Sequence, residues 1–238
     1  MNFVSEIRNY KSRIKYLREK IFGMKPSHSK LKLIDIALEK NKIQSFADLG
    51  GVWGVDGFYT FYILSQREIS KAYIIDDHFT NKLIKQAINY PQLQLIEGDF
   101  RFRETFQKID KVDLMLLFDV LLHQVNWQEV LSLCTQWADL LAIYNPQLHG
   151  EKSVRLLDLG EEAYFNLVPH TKKGPCYEHL FTPKEEKDTP AVWQWGICDA
   201  DLINTLAKLD FQLAYSRDEE YWPNRSFRSK GFVFQTLQ

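Results

Sequence analysis

The chain has 238 residues, 45% apolar and 14% aromatic, enough to bury one sizeable core. No apolar run approaches the roughly 20 residues needed to cross a bilayer, and the first residues carry no apolar signal block, so a cytoplasmic protein without a transmembrane segment is expected. Cys134, Cys176 and Cys198 are odd in number and widely spaced, which fits a reducing compartment without disulfides, and the formal net charge is only −1.

That charge is unevenly placed. Residues 1–32 hold nine Lys or Arg against Glu6 and Glu19, leaving the remainder acidic. Phe3, Ile7, Tyr10, Ile14, Leu17 and Ile21 alternate spacings of four and three, one apolar face of a helix whose other face is basic. Pro26 ends it, and Leu31–Leu38 reads as a second helix. The two are expected to form a cap over residues 1–40, on the ligand side of the core. A membrane-surface helix or a docking face for an anionic partner is the other reading of the basic face.

Residues 43–144 alternate strands with helices, which argues for a parallel sheet covered on both faces. The first strand ends in Ala47-Asp48-Leu49 and runs into Gly50-Gly51-Val52-Trp53-Gly54-Val55-Asp56-Gly57. Further strands are read at Ala72–Asp77, within Leu93–Phe100, within Val112–His123 (where the following helix also starts) and near Ala138–Tyr144, the last closed by Asn145-Pro146. Residues 145–198 break the alternation. They hold a short strand at Ser153–Leu157, a polar loop at Pro169–Pro190 and the aromatic pair Trp193 and Trp195, and read as a lid. Asp199 is expected to cap a helix ending near Leu209. Phe211–Ser216 and Phe232–Thr236 complete the chain as two strands within residues 199–238.

A strand that ends in an acid and turns through glycines into a helix is a ligand-binding turn. The glycines at 50, 51, 54 and 57 do not make G-x-G-x-x-G, and no G-K-[ST] follows, so neither a dinucleotide nor a phosphate-loop fingerprint is present. The pattern acid-x-Gly-x-x-x-Gly, from Asp48 through Gly50 to Gly54, resembles the first motif of the class I S-adenosylmethionine-dependent methyltransferases. The later acidic strand ends fall at the family's intervals, and the resemblance covers residues 43–144 well.

The resemblance implies an α/β fold: a Rossmann-like, seven-stranded, mostly parallel sheet with helices on both faces, an N-terminal helical cap and an insert after the fifth strand. It implies S-adenosylmethionine as cofactor and S-adenosylhomocysteine as product. Asp48 would hold the cofactor's ammonium, with Gly50 and Gly51 allowing close backbone approach. Asp76, with Asp77 as the alternative, would take the ribose hydroxyls. Asp99 would meet the adenine amino group, Phe100 would border the ring, and Phe118 and Asp119 would close the site from the fourth strand. Val52 stands where the family often has glycine. Trp53, counted with the cofactor contacts, follows it, and the turn is either wider or has the indole packed beneath it.

Transfer from a sulfonium depends mainly on positioning, with a base required only if the acceptor must lose a proton. His123, expected one turn into the helix after the fourth strand, is the candidate base. Tyr164, His170, Trp193 and Trp195 are candidate acceptor contacts, with His179, Glu161 and Glu162 behind them. His170, Cys176 and His179 lack a clean ligand spacing, so no metal site is expected. The irregular lid and the missing Asn-Pro-Pro-aromatic motif favour a small-molecule acceptor over nucleic acid. An RNA or protein methyltransferase using the basic helix, and a non-catalytic cofactor-binding scaffold, are the rival readings. A homodimer stays open.

Overall fold

The computed structural model describes residues 26–168, 180–181, 192–221 and 226–237. The expected N-terminal helix over residues 3–21, and most of the polar loop with His170, Cys176 and His179, lie outside the described residues.

A single seven-stranded sheet runs in the order β3-β2-β1-β4-β5-β9-β8. Its strands are β1 (Ser45–Leu49), β2 (Lys71–Asp76), β3 (Leu93–Glu97), β4 (Val112–Phe118), β5 (Ala138–Leu148), β8 (Phe211–Tyr221) and β9 (Phe227–Thr236). β1 to β5 are parallel, whereas β9 is antiparallel to both β5 and β8. The apolar runs are explained by burial on both faces. Leu114, Leu116 and Ala142 pack on one side with α1 (His28–Lys40) and α2 (Phe58–Gln66). Met115, Leu117 and Ile143 pack on the other with α5 (Trp127–Trp137) and α7 (Asp199–Ala207). The remaining helices, α3 (Asn81–Ala87), α4 (Arg103–Phe106) and α6 (Glu161–Leu167), are short. No described helix is long and apolar enough to cross a membrane, and Cys134 and Cys198 are buried free thiols.

The strand order reverses direction between β1 and β4. In open α/β sheets the ligand crevice lies at such a reversal, outside the C-terminal strand ends.

Four local expectations are corrected. β5 does not stop at Asn145-Pro146 but continues to Leu148. β4 ends opposite Tyr144, so at residues 145–147 β5 pairs only with β9, where Pro146 faces Ser229, before Leu148 bridges to Cys198 on the other side. A proline is tolerated on such a one-sided strand because no neighbour needs its missing N–H. The short strand is only β6 (Val154–Arg155), paired with β7 (Trp195–Gly196), and a 3-10 turn follows at Leu156–Leu159. The cap of α7 is Cys198, with Asp199 in the first helical turn and the helix ending at Ala207. Both final strands are longer than expected, with two register shifts in β8, at Leu213/Tyr215 and Asp218/Tyr221.

The insert after β5 packs a small core, with Leu156, Tyr164, Val168, Val192 and Trp193 set against Phe227 of β9 and Leu122 from the turn after β4. Three hydrogen bonds tie it to the turn after β4. The Gln194 N–H donates to the Leu122 carbonyl (2.8 Å), Trp195 Nε1 donates to the Val125 carbonyl (2.8 Å), and His123 Nδ1 donates to the Val192 carbonyl (2.8 Å).

Candidate functional site

The turn after β1 is held from three sides. The Gly50 N–H donates to the Ile75 carbonyl (2.9 Å), and the Gly57 N–H closes the turn on the Gly51 carbonyl (2.7 Å). Gly50 takes φ +66°, a left-handed conformation that favours glycine. At Gly51 the reason is space. A Cβ there would stand 2.7 Å from the Asp48 carboxylate. The turn therefore lies flat against a buried acid, leaving its open side to a ligand. Trp53 does not pack beneath it and is 75% exposed.

Asp48 is buried, and its Oδ2 accepts one hydrogen bond from the Thr60 hydroxyl (2.8 Å). Burial pushes its carboxyl up to about 7, eased by Thr60 and raised further by the nearby Asp76 charge. Such an acid is poised to be ionised by an arriving cation. Asp76, at the end of β2, is also buried, and burial lifts it to about 6. Its Oδ2 accepts the Val52 N–H (2.9 Å) and its Oδ1 the Asp77 N–H (2.9 Å). A carboxylate offers about four acceptor positions, so both oxygens keep room for a pair of hydroxyls. Asp77 instead turns outward to His78 at 2.5 Å.

Beyond β3, Asp99 is committed to Arg101, whose Nε and Nη2 stand 2.8 Å and 2.5 Å from Asp99 Oδ2. Its side chain is thus already forked, and a contact to a purine amino group requires that pair to open. Phe100 packs partly buried on the α5 side of the sheet.

At the end of β4 the sequence reading missed a residue. Lys30, from α1, is buried, and its Nζ lies 2.6 Å from Asp119 Oδ2. It also stands over three ring faces, 5.5 Å from Tyr59, 5.7 Å from Phe118 and 5.5 Å from Tyr144. Burial penalises the ammonium, but Asp119, with Tyr59 and Tyr144, outweighs it and holds the group above its ordinary pKa. Asp119 has φ +57°, and its N–H donates to the Tyr144 carbonyl (2.7 Å). The signal was present in the sequence. Lys30 shares the helical spacing of Ile34, Ala37 and Leu38, so a charge sits on the apolar face.

His123 lies in a 3-10 turn, Leu121–His123, before α5 rather than inside it. Its Nδ1 is spent on the Val192 carbonyl, which leaves Nε2 as the ring atom with a lone pair in the neutral form. Tyr164 and Trp193 are interior to the lid. Tyr164 donates its hydroxyl to the Trp193 carbonyl (3.0 Å), and Trp193 packs edge-on to Phe227. Neither ring lines an open surface. Trp195 is half-buried on the α5 side.

No protein-family model and no characterised protein sequence matches this chain. Solved structures do. The N-terminal domain of EvdMO1 with S-adenosylhomocysteine bound matches over 97% of each chain, at 11% identity and a TM-score of 0.58. Magnesium protoporphyrin IX methyltransferase from Synechocystis PCC 6803, also with S-adenosylhomocysteine, matches over 98% of this chain and 99% of that one, at 15% identity and a TM-score of 0.55. A putative sarcosine dimethylglycine methyltransferase from Galdieria sulphuraria matches over 87% and 84%, at 8% identity and a TM-score of 0.60. At these identities the likeness is one of fold, over most of the chain. The chain has the fold of the class I S-adenosylmethionine-dependent methyltransferases.

Proposed function

We propose that this chain transfers a methyl group from S-adenosylmethionine to a small-molecule acceptor. The observation that carries the reading is Asp48 beneath the glycine turn, a buried acid with one hydroxyl partner. A buried carboxylate is costly to ionise without a cation, and the cofactor's ammonium is such a cation. Gly50 and Gly51 give it backbone to lie against. Asp76 would take the ribose hydroxyls while its bond to the Val52 N–H keeps the turn in place. Phe118, at the β4 end, borders the crevice.

When bound, the cofactor supplies an activated methyl on sulfur. The chain's own part is to hold the acceptor in line and to exclude water, and orientation alone is worth up to roughly 7–11 kcal/mol. The lid, pinned to the turn after β4, is the element suited to both tasks. His123 Nε2 is the candidate proton acceptor should the acceptor be a hydroxyl. The small-molecule reading is supported by this packed lid and by fold neighbours whose names specify a porphyrin and a small amino acid.

Calorimetry tests the reading. S-adenosylhomocysteine is expected to bind at one per chain. Absence of that binding, with a nicotinamide dinucleotide binding instead, overturns it.

A further inference from the structure

Asp119 and Lys30 are more than a surface ion pair. The ammonium is enclosed, with 11% of the Lys30 side chain exposed against 44% for Asp119. The lysine is therefore sealed behind the carboxylate, and the open side presents the acid. Asp119 Oδ1 has no donor among the described residues. Asp119 is also the first residue past β4, held in the left-handed region at φ +57°. The next residue, Val120, stands against the glycine turn, its Cγ2 3.2 Å from where a Gly50 Cβ would be. Carboxylate and cofactor turn thus share one edge of the crevice.

We infer that Asp119 is the specificity-determining contact for the methyl acceptor, that the acceptor is an amine, and that Lys30 is the positioning residue that holds Asp119 for it. The inference rests on the methyltransferase reading above.

The charges support it. Among the described residues, Asp99 pairs with Arg101 and Asp77 with His78, while the cation beside Asp119 is the enclosed Lys30. The exposed carboxylate at 119 therefore offers a negative charge to an acceptor that becomes cationic in the reaction.

The chemistry also fits. A neutral amine, having lost its proton to water, donates an N–H to Asp119 Oδ1 and keeps its lone pair for the methyl. The N–C bond forms, the C–S bond breaks, and its electron pair stays on sulfur as the thioether. The positive charge moves from sulfur to nitrogen beside the carboxylate, so Asp119 stabilises the charge as it develops. An alcohol acceptor would instead have to lose a proton, and a carboxylate already held by an ammonium is a weak place to put it.

The test uses the full chain saturated with S-adenosylhomocysteine, titrated with benzylamine, phenethylamine and butylamine and with the alcohol matching each in shape. Amine binding stronger than that of the matching alcohol is expected. Asp119→Asn should weaken the amines about tenfold or more, a larger loss than any in S-adenosylhomocysteine affinity. Asp119→Gly, which suits the positive φ, is the second variant and should behave alike if the asparagine form folds poorly. With S-adenosylmethionine, label should pass to amines and not to alcohols. Alcohols bound as tightly as amines, or amine affinity unchanged in both variants, overturns this inference alone. Failure to bind S-adenosylhomocysteine at all overturns the methyltransferase reading with it.

Discussion

Asp48→Asn isolates the cost of burying the acid beneath the glycine turn. The variant keeps shape and still accepts from Thr60, but it cannot ionise. The wild-type carboxyl is raised in the folded chain from 3.8 to about 7. Folding therefore strengthens proton binding at this site, and its contribution is fully present below pH ~4, where the group is protonated in both states. As pH rises toward 7 the unfolded chain ionises first, and stability is lost at about 1.4 kcal/mol per pH step. The loss levels off above the folded value at roughly 4 kcal/mol. Urea unfolding of ligand-free wild type and variant at pH 5 and pH 8 measures it. The variant's stability relative to wild type should rise by about 2–3 kcal/mol between those pH values. Asp76 is common to both proteins and largely cancels. The sign then reverses on binding. S-adenosylhomocysteine should drive Asp48 to release a proton near pH 6.5, visible as buffer-dependent calorimetric enthalpy, and the variant should bind it more weakly. A stability difference that stays flat across pH refutes the buried-acid argument.

Gly51→Ala places a Cβ 2.7 Å from the Asp48 carboxylate and should cost at least about tenfold in S-adenosylhomocysteine affinity, read by calorimetry. Asp76→Ala should weaken the same binding by about 1–3 kcal/mol, and Asp77→Ala much less, because Asp77 turns to His78 rather than into the crevice; the reverse order would displace the ribose contact. Lys30→Met removes the ammonium from its three rings and should lower stability by about 1–3 kcal/mol in urea unfolding, below the full cost of a broken buried pair because Asp119 is half-exposed. His123→Ala loses the bond to the Val192 carbonyl and should cost about 1 kcal/mol in stability; with an amine acceptor its turnover should fall far less than the roughly 10²-fold that a lost general base would impose.

The sheet was legible because buried parallel strands leave apolar runs that end in acids, and Asp48 and Asp76 stand at such ends. β5 was read short because Pro146 ends most strands. Nothing local announces that β4 stops at Phe118 and leaves β5 with one partner at residues 145–147. Lys30 was hidden by its company. It lies among nine basic residues in 1–32, where a solvated face is the ordinary reading, and only its spacing with Ile34 and Leu38 separates it from them. Trp193 and Tyr164 were read as acceptor contacts because aromatics cluster in the insert. The insert needs a core of its own, and they form it.

The lid's three ties to the turn after β4 all end on main-chain carbonyls, those of Leu122, Val125 and Val192. A carbonyl survives any substitution at its residue. The other side chains of the insert can therefore change while its attachment stays in register, with only His123 and Trp195 contributing side chains to the join. For an evolving lineage, the composition of the insert is uncoupled from its anchorage. For an engineer, the two conditions for exchanging it are a donor at 123 and an indole at 195.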